Sequence, residues 1–242
     1  MAKYKIFALP SHQSPERTSA VDFLRIIQPM RHLGKEADFE VTVLEPTMEI
    51  GWPEVAKEYD AIYFSYLNSP WGFAVMGAMA RNYGKKLIMD IDDNLWDIKQ
   101  DNPAYSIFKK DREGIATITS IANEVDYITC TNSYLKNVII HNTTKKHDKV
   151  MVFPNYIDLE LYSHKAKDKN TTDINIGHFG STTHFTTLAN GEFVSAMQKI
   201  MEDYPNVTFT TIGSFLPDFK EKWGQRYVQK FGDVDVHKWV KD

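Results

Sequence analysis

Short apolar runs alternate with helical stretches along this chain, and that alternation limits its fold more than any other feature. The runs are KYKIFAL (3–9), FEVTVL (39–44), AIYFSY (61–66), KLIMDI (86–91), DYITC (126–130) and KVMVF (149–153). Most are continuous rather than alternating, the pattern of strands buried on both faces of a parallel sheet. Parallel neighbours need crossovers, and the intervening stretches have helical character. In SPERTSAVDFLRIIQPMRHLG, Ser14 is an expected N-cap, Pro15 a first helical residue and Gly34 a stop. Ala20, Phe23, Leu24 and Ile27 then form the expected apolar face. Further helices are expected at about 71–83, 105–124 and 133–141. The sum is a doubly wound α/β domain.

A polar, aperiodic stretch, YSHKAKDKNTTD (162–173), reads as a linker, and a second strand–helix series follows it. Its expected elements are a strand at 174–180, a helix near 188–203, a strand at 206–213 and a last strand at 234–240. Two domains are therefore expected, 1–160 and 161–242, both Rossmann-like and the second incomplete. So few strands read as a domain cut short, or as a fragment that borrows a partner surface.

With 242 residues, 43% of them hydrophobic, each half has enough apolar material for a core. The net charge of −4, with no long Lys/Arg run, argues against nucleic acid as a partner. The lone Cys130 excludes an intrachain disulfide and reads as a small buried hydrophobe. The apolar run in MAKYKIFALP is too short for a secretory signal, so a cytoplasmic protein is expected. Nothing in the sequence specifically supports membrane contact.

Several candidate site residues follow strand ends. KLIMDIDDNLWDI places Asp90, Asp92, Asp93 and Asp97 at the mouth of a buried strand, where mutual repulsion and desolvation oppose ionisation. Such a set suits Mg²⁺ or Mn²⁺, sugar hydroxyls or a nearby base, and equally a solvated loop in which Asp93 or Asn94 caps the next turn. NIGHFGSTTHFTTL places Gly180, Ser181 and His184 where a phosphate would meet free amides, although a tight turn explains the glycine alone. In the first loop, capping leaves His12 and Arg17 unexplained. Asn155 in VMVFPNYIDLELY has turn chemistry.

In order and in detail these segments resemble the GT-B glycosyltransferases, in particular the retaining group 1 family. DYITCTNSYLKNVI resembles that family's serine-containing strand–helix segment, with Ser133 in the serine position. KVMVFPNYIDLELY resembles its hinge, with Tyr156 where glycine is usual. INIGHFGSTTHFTTL resembles the opening of its second domain, and KLIMDIDDNLWDI a subgroup motif. The resemblance implies transfer of a sugar from a nucleotide-diphosphate donor to a hydroxyl acceptor, with retention and with neither metal nor cofactor. It implies Asp92 and Asp93 as catalytic residues. Gly180, Ser181, His184 and Asn155 would be donor contacts, and His12, Arg17 and Asn94 would face the acceptor. Thr187 stands where the family has an acid, and no E-x₇-E segment precedes Asp242. Those departures favour an alternative, a non-catalytic sugar- or nucleotide-binding or assembly module on a degenerate transferase fold.

Overall fold

In the computed structural model the apolar runs pair in parallel. The structure describes residues 3–11, 13–14, 17–45, 48–49, 51–66, 70–100, 102, 105, 113–156, 158–159, 172–180, 191–212 and 216–230. The linker 162–173 is mostly outside these residues, and the strand expected at 234–240 entirely so. The chain forms two compact units: Met1–Asp97 with Phe108–Leu159, and Ile98–Ile107 with Glu160–Asp242.

In the first unit the strands are β1 (Tyr4–Leu9), β4 (Phe39–Val43), β5 (Ala61–Ser65), β6 (Lys86–Ile91), β7 (Tyr127–Cys130) and β8 (Val150–Val152). Two short strands, β2 (Gln13–Ser14) and β3 (Arg17–Thr18), pair antiparallel in the loop after β1. The six long strands make one parallel sheet in the order β4-β1-β5-β6-β7-β8. Ala8, Ile26, Met30 and Tyr63 form a buried cluster between the first helix and this sheet. Cys130 is fully buried, consistent with its reading as a small hydrophobe.

The first helix corrects two expectations. Gln13–Ser14 belongs to the β2–β3 pair, so Ser14 is no N-cap, and helix begins at Ala20 after Ser19. Ala20 is exposed and Leu24 only partly buried, whereas Asp22, Arg25 and Gln28 are buried. The helix runs through Ala20–Asp22, a π segment at Phe23–Ile27 and Gln28–Leu33. Pro29 accounts for the interruption, because it has no N–H for the Arg25 carbonyl and its ring crowds that oxygen. The Tyr63 hydroxyl oxygen lies 3.4 Å from the Arg25 carbonyl, but its one proton goes to the nearer Asp90 Oδ1 at 3.1 Å. As expected, the helix ends before Gly34, whose N–H reaches the Met30 carbonyl at 3.0 Å.

Side chains satisfy other helix ends. Asn132 Oδ1 accepts from the Leu135 N–H at 2.8 Å and so caps helix Ser133–Asn142. Lys145 Nζ donates to the Asn123 and Val125 carbonyls at the end of helix Glu113–Glu124. Burial lowers the pKa of that ammonium.

The second unit has β9 (Ile174–Phe179), β10 (Val207–Ile212) and β11 (Tyr227–Lys230), all parallel in the order β11-β10-β9. Helices Gly191–Asp203 and Pro217–Trp223 contribute Met197, Met201 and Phe219 to a core with Val207, Phe209, Leu216 and Tyr227. Gly224, at φ 54°, ends the second of these helices in a conformation that side chains resist. A β-strand at Tyr227–Lys230 was not expected from the sequence, because its four residues include only two apolar ones.

The Tyr227 hydroxyl accepts from the Leu216 N–H at 3.0 Å and bonds Thr211 Oγ1 at 2.7 Å, all buried. Tyr227→Phe leaves the amide and the threonine hydroxyl without this partner. We expect a loss of about 2 kcal/mol of stability in denaturant unfolding. A midpoint equal to that of wild type would show that the phenol is dispensable.

Candidate functional site

Both β4 and β5 follow β1 in the chain yet lie on opposite sides of it. Crossovers therefore diverge between β1 and β5, and parallel sheets bind ligands beyond the carboxyl ends of strands at such a point. Ser11, just past β1, is tied to the first helix there. Its N–H donates to Asp22 Oδ1 at 2.9 Å and its hydroxyl to Asp22 Oδ2 at 2.7 Å.

Deeper in the edge lies a buried ion pair. Arg25 and Asp90 are each 2% exposed, with Nε to Oδ2 at 3.0 Å and Nη2 to Oδ1 at 2.6 Å. Asp90 Oδ1 also accepts from Thr129 at 2.5 Å and from Tyr63 at 3.1 Å. This convergence follows from register: Ser65 pairs with Asp90 and Asp90 with Thr129 across adjacent strands. Arg25 Nη1 then reaches the Phe153 carbonyl at 2.5 Å and Asn155 Oδ1 at 3.0 Å. Burial opposes the charge on Arg25, but the hydrogen bonds and charge of Asp90 outweigh it and raise the pKa. One side chain thus joins helix, sheet and the turn after β8.

Two residues beyond Asp90, Asp92 is in a different situation. Its Oδ1 is buried with no hydrogen-bond partner among the described residues. Burial, then the negative charges of Asp93 and Asp90, push its pKa up to about 7. Asp93 is exposed. Asn94 Oδ1 is buried without a donor among the described residues, so Asn94 does not cap the following turn Leu95–Asp97 through its side chain. Tyr66, buried at the end of β5, has its pKa raised by burial and then by Asp92, Asp93, Asp90 and Asp22. A carboxyl group that changes charge near neutrality, with an open lone pair, can accept a hydrogen bond from a hydroxyl or remove its proton.

The first helix supplies one more unmatched group. Gln28 is 8% exposed, yet neither its Nε2 nor its Oε1 has a partner among the described residues. One turn further on, His32 Nε2 meets Asp158 Oδ2 at 3.0 Å. Among the described residues no group of three His, Cys, Asp or Glu side chains is placed to hold a metal ion. No helix among them is long and apolar enough to cross a membrane.

No protein-family model and no curated protein sequence matches the chain. Solved structures do. Anabaena HepE in complex with UDP and glucose superposes at a TM-score of 0.60 and 15% identity, over 98% of this chain and 71% of that one. The UDP-GlcNAc 2-epimerase from Methanocaldococcus jannaschii gives 0.53 and 11%, over 98% and 76%. Glycyrrhiza uralensis UGT73P12, complexed with glycyrrhetinic acid 3-O-monoglucuronide, gives 0.52 and 11%, over 96% and 69%.

The fold is GT-B.

In this GT-B chain the first unit brings together Asp92, Asp93 and Asn94 after β6 and holds Asn155 through Arg25. Gly180 follows β9 in the second unit, its N–H donating to the Ile212 carbonyl at 3.1 Å. Ser181, His184 and His12 lie outside the described residues, as does the side chain of Arg17, whose backbone forms β3. Sequence reasoning missed Arg25, Tyr63, Thr129, Tyr66 and Asp22. The available signal was FLRII, where one cation interrupts an apolar helical run.

Proposed function

We propose that this chain is a glycosyltransferase that moves a sugar from a nucleotide-diphosphate donor to a hydroxyl acceptor. Asp92 carries the reading: a carboxyl group poised near neutral pH, with an unpaired buried oxygen, beyond the carboxyl end of a parallel strand. The GT-B fold supports it, because structures similar to this one were solved with UDP and with UDP-glucose. In this reading Asp92 contacts the acceptor or the donor sugar, Asp93 adds negative charge beside it, and Asn94 accepts a further hydroxyl. His12 and Arg17 complete the acceptor side. Ser181 and His184 bind the donor diphosphate, and Gly180, whose N–H is held by the Ile212 carbonyl, lets the ligand approach the backbone closely. Asn155, fixed by Arg25, lies on the donor side. The protein acts without a metal or cofactor, from the cytoplasm, with 1–160 as acceptor domain and 161–242 as donor domain.

The resemblance to the retaining family favours retention, with Asp92 as a sugar-hydroxyl contact. Asp92 as the base that takes the acceptor proton would favour inversion. The product anomer, read by NMR, distinguishes these roles. The test of the function itself is calorimetric titration with UDP- and GDP-sugars, followed by an assay of nucleotide release with hydroxyl acceptors. We expect one nucleotide sugar to bind and to release its nucleotide when acceptor is present. Failure of every nucleotide sugar to bind would end the proposal, and binding without turnover would favour the non-catalytic module. The likeness to UDP-GlcNAc 2-epimerases favours a second reading, epimerisation of the sugar on its nucleotide. Acceptor-independent formation of an epimeric nucleotide sugar would select it.

A further inference from the structure

We infer that Tyr66 is a ligand-binding residue, its phenol O–H donating to the same hydroxyl group that gives its own proton to Asp92 Oδ1. This rests on the sugar-nucleotide reading above and adds the residue that completes the grip on that hydroxyl.

Tyr66 follows β5, and its N–H donates to the Asp90 carbonyl at 3.1 Å, which carries the pairing of β5 with β6 one residue past Ser65. Crossovers diverge between β1 and β5, so Tyr66 stands on the edge where a doubly wound sheet takes its ligand. Through space, Asp92 acts on the phenol more strongly than any other charge, ahead of Asp93, Asp90 and Asp22. Together with burial, these carboxylates keep the phenol protonated, so it has a proton to give. The donors that meet this edge are otherwise committed. Arg25 gives Nε and Nη2 to Asp90, and Nη1 to the Phe153 carbonyl and Asn155. Tyr63 and Thr129 donate to Asp90, Ser11 to Asp22, and Thr131 to the Asp92 backbone carbonyl. Asp92 Oδ1 and Asn94 Oδ1 are buried and receive none of them. The Tyr66 side chain is 8% exposed, and its hydroxyl has no hydrogen-bond partner among the described residues. An open donor and an open acceptor that act on each other without bonding are the complement of a hydroxyl group, which accepts with a lone pair and gives its proton. An ether oxygen satisfies only the phenol, and an anionic group meets repulsion from the carboxylates.

Tyr66→Phe removes the phenol oxygen alone, and the unfolding midpoint should stay within about 2 °C of wild type. The hydroxyl can come from the donor sugar or from the acceptor, and separate readouts tell these apart. If it belongs to the donor sugar, calorimetric affinity for UDP-glucose falls about tenfold while affinity for UDP is unchanged, with GDP-glucose and GDP as the second pair. If it belongs to the acceptor, affinity for UDP-glucose is kept, and half-maximal nucleotide release needs about tenfold more acceptor, read with glucose and glycerol. In either case Tyr66→Phe with Asp92→Ala should lose less than the product of the two single losses, because both groups hold one hydroxyl. Losses that multiply overturn the inference. So does a Tyr66→Phe protein that binds and releases as wild type does, or that loses UDP and UDP-glucose equally. A lower midpoint with binding and release intact marks a merely structural tyrosine and overturns it as well. If wild type binds no nucleotide sugar, the sugar-nucleotide reading fails first and this inference falls with it.

Discussion

Arg25→Met should lower the thermal unfolding midpoint of the first unit by roughly 10 °C or more. The guanidinium is 2% exposed and makes two hydrogen bonds to Asp90, which is equally buried. Removing one member of such a pair leaves the other charged, desolvated and unbalanced, at a cost of about 3–5 kcal/mol. Each kcal/mol shifts the midpoint of a domain of this size by about 2–4 °C. The substitution also strips acceptors at Phe153 and Asn155 of their donor. A second variant separates charge from packing. In Arg25→Met with Asp90→Leu neither charge of the buried pair remains, and the Tyr63 and Thr129 hydroxyls, 3.1 Å apart, can bond each other. The double variant should regain a large part of the loss. A single variant melting within about 2 °C of wild type would contradict the burial of the pair.

Asp92→Asn should act in opposite directions on stability and turnover. The Asp92 carboxyl has a folded pKa pushed up to about 7, against about 3.9 in an unfolded chain. Between these values the unfolded state has released its proton while the folded state keeps it. Stability from this group therefore falls as pH rises from about 4 to 7, and the full penalty holds above that window. The difference of about 3 pH units sets a ceiling of about 4 kcal/mol, and partial exposure of the side chain reduces it to about 2. Asparagine carries no such penalty. The variant should match wild type near pH 4 and exceed it by about 2 kcal/mol at pH 8 in urea unfolding. In the proposed transfer reaction its turnover should fall more than tenfold, about 1.4 kcal/mol of barrier. Equal stability at pH 8 would place the carboxyl in ordinary solvent, and unchanged turnover would remove Asp92 from the mechanism.

Much of the first unit was legible because strands buried on both faces must be apolar throughout. IYFS and LIMDI sit in the sheet almost as the runs suggested. What lay hidden depends on contacts distant in sequence. FLRII marks its arginine only as one cation in an apolar run, and the partner that draws it inward is 65 residues away. Asn155 carries turn chemistry, and only the fold reveals that its oxygen meets Arg25. Ser14 and Pro15 look like a helix start to any local rule, yet strand pairing across the loop moves the start to Ala20. The acidic mouth after β6 was visible as composition. That Asp92 rather than Asp93 is the shielded one was not visible, because both follow the end of the strand at Ile91.

The reach of Arg25 also imposes an order on biosynthesis. Asp90 is made 65 residues after the arginine, but the Phe153 carbonyl and Asn155 come 128 and 130 residues after it. On the ribosome the carboxylate is therefore made well before the last two acceptors emerge. Closure of the first unit waits for the turn that leads toward the second, so nascent chains halted before Phe153 should be captured by chaperones more readily than those extended beyond Asn155.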